Sequence, residues 1–169
     1  QGIPIGLENS FCKGWNYQIC LQNKKNQKTN LVYFNFSLHT NPIRQRIHDM
    51  FIEKGFVKNN QKPWNKYIEE LSKHLFCFSP PGNGKDCHRI WECIYVGCIP
   101  IVIKNPILYT YFKNLPILWV DNYDIVTKEF LEIQKKQFEK KSHNIEQSSL
   151  HYWIKQIHNE INKKYHNTI

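Results

Sequence analysis

A chain of 169 residues has room for one compact core of ordinary size and too little for two full domains. With 41% hydrophobic and 22% charged residues, and no apolar run near the ~18 residues of a helical membrane span, the composition excludes a disordered tail and a transmembrane bundle. The net charge of +9 rests on twenty Lys and only three Arg spread from Lys13 to Lys164, a distribution that reads as solvated surface while its sign suits a phosphate ligand.

The chain opens on Gln1 with no apolar leader, so it is expected to be trimmed or part of something longer. Residues 1–29 read as an irregular leading or linker segment that ends in the solvated Lys24–Lys28 stretch. Leu31 to Leu38 (LVYFNFSL) is apolar on both faces, as a central strand covered by helices on either side would be. Thr40 or Asn41 can cap the next helix, which starts at Pro42, repeats Ile43, Ile47, Met50 and Phe51, and stops at Gly55. A short helix over Tyr67–His74 runs into a second apolar strand, Leu75–Ser79. After the breaker cluster SPPGNGKD come a helix over Arg89–Val96, closed by Gly97, and a third strand, Ile99–Ile103. Further helices over Ile107–Lys113, Thr127–Lys140 and Ser149–Tyr165, with a fourth strand over Ile117–Val120, complete the alternation. The pattern predicts an α/β, Rossmann-like three-layer domain with a mostly parallel sheet, spanning 1–169 as a single unit. The last helix, within 149–169, carries Leu150, Trp153, Ile154, Ile157 and Ile161 on one face and is expected to pack on something apolar.

The six cysteines show no framework spacing and read as buried thiols of a reducing compartment. The Asn35 sequon lies in an apolar run with no room for a glycan.

In parallel α/β sheets the ligand crevice lies beyond the carboxyl ends of the strands, which directs attention to two loops. Ser37–Arg46 (SLHTNPIRQR) places hydroxyl, imidazole and amide groups at a helix start with two arginines in its first turns. In Ser79–Glu92 (SPPGNGKDCHRIWE), Gly82 and Gly84 allow close backbone approach, and the following helix start offers free N–H groups to a phosphate. His88, Arg89 and Glu92 then share about one helical turn. Arg44, Arg46 and Arg89 are the only arginines, and all fall in these two loops and the helix starts beside them. Arg is favoured over Lys where planar, bidentate recognition of phosphate is needed. The constellation suits a nucleoside diphosphate, with Arg89 and loop amides on the pyrophosphate and a carboxylate on a ribose diol.

The run LFCFSPPGNGKDCHRIWECIYVGCIPIVI, from Leu75 to Ile103, resembles the donor-binding segment of GT-B-type glycosyltransferases, in particular the exostosin-like group. The similarity covers roughly Gly2–Asp121, and Glu92–Ile103 is its most specific part. By this resemblance Glu92 would hold the nucleotide ribose, and Gly97 and Pro100 would shape the helix-to-strand turn. Gly82, Asn83, Gly84 and Arg89, with Thr40, Asn41 and Arg44 from the upstream loop, would face the donor phosphates or sugar; His88 is a further donor-binding candidate by its place beside Arg89 and Glu92. It implies one half of a GT-B fold that binds a nucleoside diphosphate sugar and serves a glycan or protein acceptor by hexosyl or similar transfer. The nucleotide-sugar would be a substrate, with no cofactor and no metal, and Arg89 would stabilise the leaving group. The catalytic base and an N-terminal Rossmann-like domain would lie outside this chain, Gly2–Asn9 being the tail of an interdomain linker. The expected location is cytoplasmic, or the Golgi lumen where a longer parent supplies a membrane anchor.

Other readings compete. A non-catalytic nucleotide-sugar-binding domain, or a half enzyme completed by a partner, would carry the same motifs. A nucleic-acid-binding module would account for the charge, but its lysines are not interleaved with aromatics on one element, so no nucleic-acid partner is expected. GNGKD is not a P-loop, since Ser79 and Asp86 stand where that motif needs Gly and Ser or Thr. Asp86 reads as a helix cap, Asp121 and Asp124 as turn caps, and the Cys/His spacing matches no zinc pattern.

Overall fold

The computed structural model describes residues 4–7, 16–141 and 143–166. Along them run α1 (Asn16–Asn23), β1 (Asn30–Tyr33), α2 (Ile43–Glu53), α3 (Trp64–Leu71), β2 (His74–Phe78), α4 (His88–Val96), β3 (Ile99–Ile103), α5 (Pro106–Phe112), β4 (Leu118–Val120), α6 (Lys128–Glu139) and α7 (Leu150–His166). The strands form one sheet in the order β1-β2-β3-β4, with each neighbouring pair parallel. Helices cover both faces, giving the α/β, Rossmann-like layering that the strand–helix alternation implies.

Burial on both faces is why β2 and β3 read as continuous apolar runs. Phe76, Phe78, Ile99, Ile101, Leu118 and Val120 meet Ile47 and Phe51 of α2 and Leu131 of α6 on one side. Phe51 stacks on Phe78 at 3.7 Å between ring centroids. On the other side, Cys77 packs with Tyr67, Ile68 and Leu71 of α3 and with Cys93 and Val96 of α4, while Val102 meets Trp91 and Phe112. Cys20, Cys77, Cys93 and Cys98 are buried free thiols, and Cys87 is a half-buried one.

Gly97 closes α4 in the left-handed conformation (φ 71°), so it alone makes the turn into β3. Pro100, expected to shape that turn, sits inside β3 opposite Cys77. Lys28 ties the lower ends of two helices together: its ammonium donates to Ser72 O (2.6 Å), just past α3, and to Val96 O (2.9 Å), the last residue of α4. A cation placed there also meets the negative ends of both helix dipoles.

Four elements depart from the sequence reading; one is α3, which spans Trp64–Leu71 rather than Tyr67–His74, so that His74 opens β2. α1 lies in the segment expected to be irregular; with Cys20 its one fully buried residue, it has no apolar stripe to reveal it. β1 ends at Tyr33 rather than Leu38, because the backbone of Phe34 pairs with a loop residue instead of with β2. The Phe34 N–H donates to Asn59 Oδ1 (2.8 Å), and its carbonyl accepts from the Asn59 N–H (2.7 Å). On α7 only Trp153 is buried, with Leu150 69% and Ile154 43% exposed, so among the described residues the expected apolar packing of this face is confined to Trp153. The linker expected over Gly2–Asn9 falls partly outside the described residues. No helix of the described residues is long and apolar enough to cross a membrane.

Candidate functional site

A cleft of about 610 Å³ opens at the carboxyl end of β1, on the side covered by α3 and α4. The stretch after β1 supplies Asn35 to His39, α3 supplies Trp64 and Tyr67, α4 supplies Arg89 and Glu92, and Lys58 and Lys62 stand at the exposed rim. One carboxylate thus lies among one guanidinium, two ammonium groups and an imidazole.

Glu92 is only 5% exposed, and its carboxylate is fixed at both oxygens. Trp64 Nε1 donates to Oε1 at 3.0 Å, and the Tyr67 hydroxyl donates to Oε2 at 2.8 Å. Arg89, three residues earlier on the same helix face, lies over the Tyr67 ring at 5.4 Å and donates through Nη1 to the Asn35 carbonyl. Burial alone would lower the Arg89 pKa, but Tyr67, Cys77 and Glu92 outweigh it and the net direction is up. Burial drives the Tyr67 phenol well above the ordinary tyrosine range, with Arg89 opposing and Glu92 adding to the rise, so it remains a proton donor.

The other candidates gather beside the cleft rather than on its lining. Arg44, 8% exposed, donates to three backbone carbonyls: Nε to Pro81 (2.8 Å), Nη1 to Ser37 (2.9 Å) and Nη2 to Pro80 (2.8 Å). Asn41 Nδ2 donates to Gly82 O at 2.8 Å, while its Oδ1 accepts from the Ile43 N–H at the start of α2. Together these side chains bolt the loop after β2 to the loop after β1. Gly82 is the glycine the bolt needs, since a Cβ there would sit 3.1 Å from Arg44 Nη2. Its N–H turns inward to Gly84 O (3.0 Å) and Cys87 Sγ (3.2 Å). Thr40 Oγ1 is buried beside this loop with no hydrogen-bond partner among the described residues. Asn83 and Gly84 are exposed at the loop tip. His88 Nδ1 lies 2.8 Å from Gly6 O, so the imidazole holds the leading segment.

Asp86 is not the cap of α4. Its Oδ1 accepts from Trp91 Nε1 (2.7 Å) and its Oδ2 from the Ile5 N–H (2.8 Å), and burial raises its pKa. Nor do Asp121 and Asp124 cap the turn after β4, where Asn122 Oδ1 accepts from the Asp124 and Ile125 N–H groups. The structure therefore divides the sequence candidates: Arg89 and Glu92 share one cleft, whereas Thr40, Asn41, Arg44, Gly82, Asn83, Gly84 and His88 do not line it.

The sequence reading passed over Trp64 and Tyr67 as site residues because it began α3 at Tyr67. With the helix started after Pro63, residues 64, 67, 68 and 71 fall at i, i+3, i+4 and i+7 on one face, a signal that was available. Lys58 and Lys62 carried no signal of their own in a chain with lysines throughout.

Comparison with curated proteins finds no match. The family model of the Exostosin GT47 domain matches residues 10–116, a span that holds the whole cleft and the bolted loops and ends before β4. With more than half of its length matched, the chain belongs to the Exostosin GT47 domain family and, at that level, to the glycosyltransferases.

Proposed function

We propose that the chain is the donor half of a GT-B-type glycosyltransferase and that the cleft takes the nucleoside diphosphate of a nucleotide-sugar. The observation that carries this reading is the buried Glu92 carboxylate, held from two sides and one helical turn from Arg89, at the carboxyl end of a parallel sheet. Glu92 accepts from the ribose diol. Arg89 has one N–H on Asn35 O and further donors in its planar fork for the diphosphate. As the sugar leaves, negative charge builds on the diphosphate, and a fixed guanidinium in a partly dry cleft stabilises it with little reorganisation. Lys58 and Lys62 add positive potential at the rim, although Lys62 is already paired with Glu70 (2.8 Å). In this reading no metal takes part. The glycan or protein acceptor, and the base that activates it, come with a second Rossmann-like domain or a partner chain.

Calorimetric titration with UDP, GDP, CDP and ADP, with and without EDTA, tests the reading. Saturable binding of one diphosphate that EDTA leaves unchanged is the expected result. Absence of binding to all four removes the donor site from this cleft, and binding abolished by EDTA removes the metal-free mechanism.

A further inference from the structure

We infer that Trp64 and Tyr67 are positioning residues that orient Glu92 for a vicinal diol and thereby make the cleft select ribonucleotides over 2′-deoxyribonucleotides. The inference rests on the donor-site reading above and concerns how the site discriminates. An ionised carboxylate offers about four lone-pair positions, and an indole N–H can only donate. The Tyr67 hydroxyl is turned toward Glu92 Oε2, and with its pKa raised it keeps its proton at neutral pH. One position on each oxygen is therefore occupied by a donor from α3, at 3.0 Å from Trp64 and 2.8 Å from Tyr67. One further position on each oxygen is left for a ligand. Two adjacent hydroxyls, one per oxygen, fill that pair, whereas a 2′-deoxyribose fills one and leaves the other dry.

The geometry also separates positioning from generic support. Glu92 is attached to α4, but the two groups that set the rotation of its carboxylate plane both come from α3. Without them the carboxylate turns about its last bond and accepts a single hydroxyl equally well in several orientations. Tyr67 has a second part in this arrangement, because its ring carries the Arg89 guanidinium at 5.4 Å. The same side chain thus fixes the spacing between the group that meets the diol and the group that meets the diphosphate. A recognition element built this way loses its selectivity before it loses its affinity.

The experiment compares each of UDP, GDP, CDP and ADP with its 2′-deoxy form by calorimetry on the wild-type chain, Tyr67→Phe, Trp64→Phe and Glu92→Gln. The wild type is expected to favour the ribo form of the diphosphate it binds by about tenfold, the size of one well-made hydrogen bond to a charged group. In Tyr67→Phe and in Trp64→Phe that ratio falls below about threefold. The ratio is taken on folded protein at one temperature, so general destabilisation lowers both affinities and leaves it unmoved. Trp64→Phe carries the test alone if Tyr67→Phe does not fold, since Trp64 is half-buried and Phe retains much of its packing. A tenfold ratio retained in either folded variant, or a wild type that binds a diphosphate without preferring its ribo form, overturns the inference and leaves the donor site standing. A wild type that binds none of the diphosphates overturns both.

Discussion

Replacing Arg44 tests whether this residue belongs to the scaffold or to the ligand. Its guanidinium makes three hydrogen bonds to the carbonyls of Ser37, Pro80 and Pro81, with little of the residue exposed. Hydrogen bonds to a charged group contribute ~1.5 kcal/mol each at the lower end, which puts the gross loss in Arg44→Ala at about 4.5 kcal/mol. Burying the guanidinium opposes this gain, as its lowered pKa shows, and water entering the gap restores part of what the carbonyls lose. A net destabilisation of about 3 kcal/mol is expected, a large share of the ~5–15 kcal/mol that holds a domain together. Against a urea dependence of ~2 kcal/mol per molar, the unfolding midpoint falls by about 1.5 M. Arg44→Lys keeps the charge but cannot place donors on three divergent carbonyls, so about two-thirds of the loss remains. Urea titration followed by circular dichroism measures both shifts, and nucleotide affinity is read in the cold on folded protein. A midpoint shift under ~0.3 M for Arg44→Ala would refute the clamp, and a tenfold loss of nucleotide affinity in folded protein would return Arg44 to the ligand.

Gly82→Ala forces a Cβ to 3.1 Å from an Arg44 nitrogen held by its carbonyl partner, so it lowers stability by ~1–3 kcal/mol, whereas Gly84→Ala meets nothing closer than 3.4 Å and stays within ~0.5 kcal/mol; equal melting temperatures for the two variants would count against the tight fit. Burial holds the His74 imidazole below its ordinary pKa of 6.5, partly offset by its bond to Glu70 O. The unfolded chain then takes up the proton first, so the stability contributed above pH 6.5 is lost as pH falls through the folded-state pKa. His74→Gln should flatten the slope of the urea midpoint between pH 7.5 and 5.5, and an unchanged slope would show that other groups set it. Glu92→Ala weakens nucleotide binding at least tenfold, about 1.4 kcal/mol, with unchanged affinity in a folded variant as the contrary result. Arg89→Lys lowers nucleotide affinity as well, because a point charge cannot reproduce two parallel bonds, and equal binding would leave only a general charge role.

The layering of the fold was legible because β2, β3 and β4 are short apolar runs separated by capped helices, and burial on both faces leaves no other use for such runs. Elements stabilised by a few distant contacts were not: the end of β1 is set by Asn59, and α1 is held by Cys20, the partly buried Ile19 and the edge contact of Tyr17 with Tyr95. In the site, the i, i+3 spacing of Arg89 and Glu92 was enough to place them together. The same loops also carried Arg44, Asn41 and His88, whose residue types suit a phosphate equally well. In the folded chain their donors and acceptors meet backbone groups of Ser37, Pro80, Pro81, Gly82 and Gly6. Residue type reports what a side chain can bond to; whether the chain itself has already claimed those bonds is a question of three-dimensional proximity.

The lysine at the foot of α3 and α4 bears on how the cleft can adapt. Those helices are joined at their carboxyl ends through Lys28 and, part-way along, through Glu92 of α4, to which Trp64 and Tyr67 of α3 reach across. Attachment points about one turn apart along α4, and about one to two turns apart along α3, hinder the two helices from splaying or rotating against each other, so that wall of the cleft behaves as a stiff template. The opposite wall, Asn35 to His39 and the Lys58–Lys62 rim, is irregular chain tied down at isolated points. Any ligand of a different size is therefore accommodated by movement on one side only, and substitutions that broaden or shift preference should accumulate there while the helical side tolerates few.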